Sequence, residues 1–113
     1  MTVYRRGDIV IVPFPFSNQI STKKHPAVVV SSDAYNNSSA DIVIMAITGK
    51  IDKTIRIGEC FIEDWHEAGL LKPSLIKSAI STIEQTLVLG KLGKLSQRDI
   101  NAMDNILKTL FDL

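Results

Sequence analysis

Apolar residues come in short blocks along the first two thirds of the chain and in a helical stripe at its end. Ile9-Val10-Ile11-Val12 follows a Gly7-Asp8 turn signal and predicts a strand. Pro13 and Pro15 cannot donate to a ladder, so this strand is expected to end there or to run at a sheet edge. Pro26 to Val30, bounded by Ser31-Ser32, predicts a second strand. Asp41 to Ile47 is apolar almost throughout and predicts a central strand buried on both faces. Between these blocks, Ser17 to Lys24 has no apolar period and reads as a loop. Asn36-Asn37-Ser38-Ser39 reads as a turn cluster.

The second half is less regular. Thr54 to Gly58 alternates, and Cys60-Phe61-Ile62 extends that strand past a glycine bulge. Glu63 to Gly69 predicts one helical turn with a glycine stop. Leu75 to Leu89 is extended, and Gly90 and Gly93 are expected to break it. The clearest helix comes last. Ser96 is its N-cap, Asp99 sits at the capping-box position, and Leu95 and Ile100 form a staple. Ile100, Met103, Ile106, Leu107, Leu110 and Phe111 then recur at helical spacing and should pack on the sheet. The expected fold is mainly β with α. It is a small, strongly curved sheet or half-open barrel closed by the last helix, in one domain over residues 1–113.

Composition narrows the function classes. A chain of 113 residues with 45% hydrophobic content supports one packed core. A net charge of +1 means that nucleic-acid contact must come from a local basic patch. The single Cys60 excludes an intrachain disulfide and a cysteine-based metal site. His66 has only Glu63 and Glu67 near it in sequence, so no metal and no cofactor are expected. Residues 1–20 carry no signal-peptide pattern, and no apolar run spans a bilayer; a cytoplasmic, membrane-free protein is expected.

Candidate chemistry lies at the strand ends. If the second and third strands are neighbours, His25 and Thr48 share one rim of the sheet, with Lys23 and Lys24 beside them. A histidine near neutrality suits proton transfer, and lysines supply point charges for phosphate. Adjacent lysines also push the histidine toward its neutral form. Phe16 either caps the core or lies open for a base to stack on. Asp8 is expected to fix the first turn.

Several segments, in order, resemble the MazF/PemK toxin family: Arg6-Gly7-Asp8-Ile9-Val10, Lys24-His25-Pro26-Ala27-Val28-Val29-Val30-Ser31, Ala46-Ile47-Thr48 and Ser81-Thr82-Ile83. The resemblance runs along nearly the whole chain. It implies an SH3-like barrel, a homodimer, and a metal-independent endoribonuclease toxin of a type II toxin–antitoxin system. The implied substrate is single-stranded RNA, cut at specific sequences. The implied partner is a small cognate antitoxin that threads along the dimer and covers the RNA site. Catalytic roles fall on His25 and Thr48, and RNA contacts on Phe16, Ser17, Lys23, Lys24 and Ser81.

The chain departs from the family at one place. The family usually has a catalytic arginine directly before the proline of the second strand, and this chain has His25. Arginine offers a rigid fork for phosphate oxygens but is a poor proton donor; histidine reverses that balance. Two readings follow. Either His25 works as an acid–base catalyst, with a pH–rate bend between ~pH 6 and ~pH 7.5, or the chain is a disarmed homologue that binds RNA or antitoxin without cutting. A protein-targeting poison of related fold, such as a gyrase inhibitor, has no support in these motifs.

Overall fold

A computed structural model describes residues 3–14, 23–51 and 54–113, apart from the side chain of Phe14. It holds strands β1 (Asp8–Phe14), β2 (Lys23–Val29), β3 (Asp41–Thr48), β4 (Cys60–Phe61), β5 (Leu75–Glu84) and β6 (Gly90–Lys94). Helix α1 (Asp33–Ser38) joins β2 to β3, and α2 (Gln97–Phe111) closes the chain. The strands form one six-stranded sheet in the order β4-β5-β3-β2-β1-β6, with every neighbour antiparallel.

β3 is central because both its faces are apolar. Ile42, Ile44 and Ala46 enter one core with Val10, Val12, Ala27, Val29 and Ile83. Met45 and Ile47 enter the other with Ile9, Val28 and Ile76. Met103, Ile100, Ile106 and Leu107 of α2 cover the second core, as the helical stripe predicts. No helix residue enters the first core. There the strands bury one another with Tyr4 and Val88, so the sheet must curl. Among the described residues, no helix is long and apolar enough to cross a membrane.

Several local expectations give way. β1 does not stop at Pro13; it runs to Phe14, paired with Lys24 and Lys23 of β2. Its β6 pairing ends at Ile11, so among the described residues Pro13 lies at an edge on that side, the other outcome expected of it. β2 begins at Lys23, not Pro26, because backbone pairing with Val12–Phe14 is indifferent to side-chain polarity. The cluster at Asn36–Ser39 is mostly helix α1. The Ser32 hydroxyl caps it by accepting from the Tyr35 N–H at 3.1 Å, and buried Asn36 ties it to Ser31. Thr54–Gly58 is not a strand: Arg56 and Glu59 close a turn on each other, with Gly58 at φ 87°.

Residues 63–69 form hydrogen-bonded turns, with the Ala68 N–H on the Asp64 carbonyl at 3.0 Å as in one turn of helix, and Gly69 at φ 90° stops them as expected. The extended run from Leu75 ends earlier than expected, at Glu84, where a 3-10 turn over Gln85–Leu87 breaks it, and Gly90 and Gly93 belong to β6. A Cβ on Gly93 would fall 2.4 Å from the Ala68 carbonyl oxygen, and one on Gly69 would fall 2.3 Å from that of Leu92. The turn and β6 therefore press backbone to backbone.

Ser96 caps α2 as expected, accepting from the Asp99 N–H. Asp99 does more than a capping box requires. Its buried carboxylate accepts the N–H groups of Glu63 and Asp64, each at 2.9 Å, and so fixes the turn to the helix. The Asp64 carboxylate is held at about 2 by hydrogen bonds from Arg98, then from Ser96. Asp8 fixes the first turn: its carboxylate accepts the Arg5 N–H at 2.8 Å and pairs with Lys91.

Candidate functional site

The start of β2, the end of β3 and the connection from Gly69 to Ser74 converge at one end of the sheet. The last β2–β3 pair is Ala27 opposite Ala46. Carried two residues further, the same register sets His25 across from Thr48, on the same side of the two strands. Both line a groove of about 560 Å³. Ile11, Pro26, Ile47, Leu70, Leu71 and Leu92 give it an apolar wall, and Lys50, Lys72 and Ser74 add polar groups. Among the described residues, no acidic side chain lines it.

A second hollow of about 250 Å³ shares Thr48 and Lys50 with the first. Arg56, Lys77, Thr54 and Glu59 line it, so its charge is mainly positive. Thr48 thus stands on the divide between an apolar groove and a basic shelf.

His25 is half-buried, opposite Val12 in β2. Burial, then the nearby Lys23 ammonium, pushes its pKa below the ordinary imidazole value, so the neutral ring predominates at pH 7. A neutral imidazole carries one N–H donor and one nitrogen of acceptor type. The Thr48 hydroxyl accepts the Lys50 N–H at 3.1 Å, a turn contact at the strand end. Its own proton remains available to donate.

The other sequence candidates spread out. Lys23 and Lys24 are exposed, opposite Phe14 and Pro13, and neither lines the groove. Ser81 stands opposite Ile44 on β5, four residues back along β3 from Thr48, or about 13 Å at strand rise, and lines neither hollow. Phe16 and Ser17 lie outside the described residues. The sequence does not single out Lys50, Arg56, Lys72 or Lys77 as site residues. The only local hint was the Thr48-Gly49-Lys50 strand end; nothing in the linear pattern links position 72 to position 48. Among the described residues, no group of three or more His, Cys, Asp or Glu side chains is placed to hold a metal ion.

The fold has close structural counterparts. MazF from Deinococcus radiodurans superposes with a TM-score of 0.78 at 16% identity, over 100% of each chain. An endoribonuclease in complex with its cognate antitoxin, from a mycobacterial species, gives 0.76 at 18% identity, over 100% of this chain and 97% of that one. Mycobacterium tuberculosis toxin MazF-mt6 gives 0.73 at 18%, over 94% and 97%. At such identities the likeness speaks for the fold. No curated protein sequence matches the chain. The family model for the PemK-like, MazF-like toxin of type II toxin–antitoxin systems matches residues 5–111. With that match over nearly its whole length, this chain belongs to the PemK/MazF-like toxin family.

Proposed function

We propose that this protein is an endoribonuclease toxin that cuts single-stranded RNA at specific sequences without a metal ion. The observation that carries the reading is that His25 and Thr48 line one groove, whose ionisable lining among the described residues is wholly basic. An unpaired base fits the apolar wall, and its phosphates fit the basic side.

In this reading neutral His25 takes the proton from the RNA 2′-hydroxyl. The 2′-oxygen attacks phosphorus, the bond to the 5′-oxygen breaks, and water or a lysine ammonium protonates the leaving oxygen. The products are a 2′,3′-cyclic phosphate and a 5′-hydroxyl. Thr48 donates a hydrogen bond to a non-bridging phosphate oxygen, while Lys50 and the lysines beside His25 supply positive charge.

Incubation with a long single-stranded RNA in EDTA, followed by mapping of the ends, tests this. Cuts with cyclic-phosphate and 5′-hydroxyl ends are expected; cutting that stops in EDTA and returns with a divalent ion contradicts it. Thr48→Ala should slow cleavage about ten- to a hundredfold, the worth of one hydrogen bond to a charged group at ~1.5–3 kcal/mol. Unchanged cleavage by that variant removes Thr48 from the site.

Similar proteins have been seen with antitoxins: one is an endoribonuclease with its cognate antitoxin, and another is a MazE–MazF pair. We place a cognate antitoxin over the same groove and a two-fold homodimer behind it. Sedimentation at tens of micromolar should give a dimer; a monomer counts against that part. The replacement of the family arginine by His25 favours one other reading, a disarmed homologue that binds RNA or antitoxin without cutting.

A further inference from the structure

Lys72 belongs to the connection before β5, yet its side chain lies along the backbone of Gly49 at the end of β3. A Cβ built on Gly49 would fall 2.1 Å from Lys72 Cε, 3.1 Å from Cδ and 3.0 Å from Nζ. The first separation is one that real Cβ atoms essentially never show. Gly49 is not among the described glycines with positive φ. Its backbone conformation therefore does not demand glycine; a Cβ there would displace the end of the Lys72 side chain.

The ammonium held this way borders the groove that His25 and Thr48 line. Among the described residues it ion-pairs with no carboxylate, and the groove wall contains none. Laying down a long side chain sacrifices rotamer freedom, with no carboxylate among the described residues in return. An anion from outside completes the arrangement. With His25 mainly neutral at pH 7, Lys50 and Lys72 are the standing positive charges of the groove's described lining.

We propose that Lys72 contacts an RNA phosphate in this groove, and that position 49 is kept free of a side chain so that Lys72 can lie there. The proposal rests on the RNA reading above and adds a contact that the reading had not assigned.

The test is binding of a mixed-sequence 2′-O-methyl RNA oligonucleotide, which lacks the attacking hydroxyl, measured over a range of salt. Lys72→Met keeps the apolar stem and removes the charge. Its slope of log K against log salt should be shallower than wild type by about 0.7, the value for one phosphate on a single strand. Gly49→Ala should weaken binding with a similar slope change and an unchanged melting temperature, since the group displaced is the end of a flexible side chain. The double variant should bind no worse than Lys72→Met alone, because both changes remove one contact.

A Lys72→Met slope equal to that of wild type overturns the phosphate contact. A wild-type slope in Gly49→Ala, beside an impaired Lys72→Met, overturns the role of glycine. Wild type that binds no oligonucleotide removes the RNA reading and this inference with it. Normal wild-type binding that neither variant alters removes the inference alone.

Discussion

His25→Ala lowers the rate of RNA cleavage by at least ~10²-fold, the lower end of what a positioned acid–base group contributes. The variant keeps its fold, because His25 is only half-buried at the open end of β2, outside both cores. The pH dependence carries the sign of the mechanism. A base works in its deprotonated form, so the rate is full above its pKa and falls as pH drops through it. Burial, then Lys23, holds the His25 pKa below the ordinary ~6.5. The acid limb of the wild-type profile should therefore lie below ~pH 6.5 and be missing from His25→Ala. Lys23→Met removes one cause of the lowering and should move the limb to higher pH. Equal, pH-independent rates in wild type and His25→Ala would assign the chemistry to Thr48 and the lysines.

Asp99→Ala should be the most damaging single change to the fold outside the apolar cores. The carboxylate is 1% exposed and accepts two backbone N–H groups of the turn that begins at Glu63. Alanine leaves both donors without an acceptor, and the helix cap loses a partner in Ser96. Buried unsatisfied donors cost ~1–3 kcal/mol each, so a loss of about 3 kcal/mol is expected. For a domain of this size that lowers the melting temperature by about 10 °C. Asp99→Asn keeps one acceptor oxygen and should lose less. A drop of under about 3 °C in Asp99→Ala would show that the two N–H groups find other acceptors. The groove would suffer along with the fold, because the same turn leads into Leu70, Leu71 and Lys72 of its wall.

β3 and α2 were legible in the sequence because each carries its signal locally. One has an apolar run too dense for a one-sided strand, and the other has a capped stripe at helical spacing. The meeting of His25 and Thr48 was legible for a related reason: two strands joined by a short connection tend to pair, and their ends then share a rim. β6 was not legible. Gly90 and Gly93 look like breakers; only the fold shows the Ala68–Gly69 backbone pressing against Gly93, while Gly90 has open space beside it. Helix α1 carries a local capping signal, Ser32-Asp33 ahead of Tyr35, but the turn-forming asparagine and serine cluster that follows competes with it. Lys72 could not have been found. Its approach to Gly49 joins residues from separate connections and depends on the curl of the whole sheet.

The family arginine sets the sharpest contrast within this account. His25→Arg brings back the rigid fork for phosphate and removes the proton acceptor at once. Purified wild type and His25→Arg, each incubated with the same long single-stranded RNA in EDTA across a range of pH, test the central claim most directly. Wild type should cut the RNA, and His25→Arg should cut more slowly or lose the acid limb of its pH profile. A wild type that leaves the RNA intact, beside a His25→Arg variant that cuts it, would contradict the account and make the protein a disarmed binder.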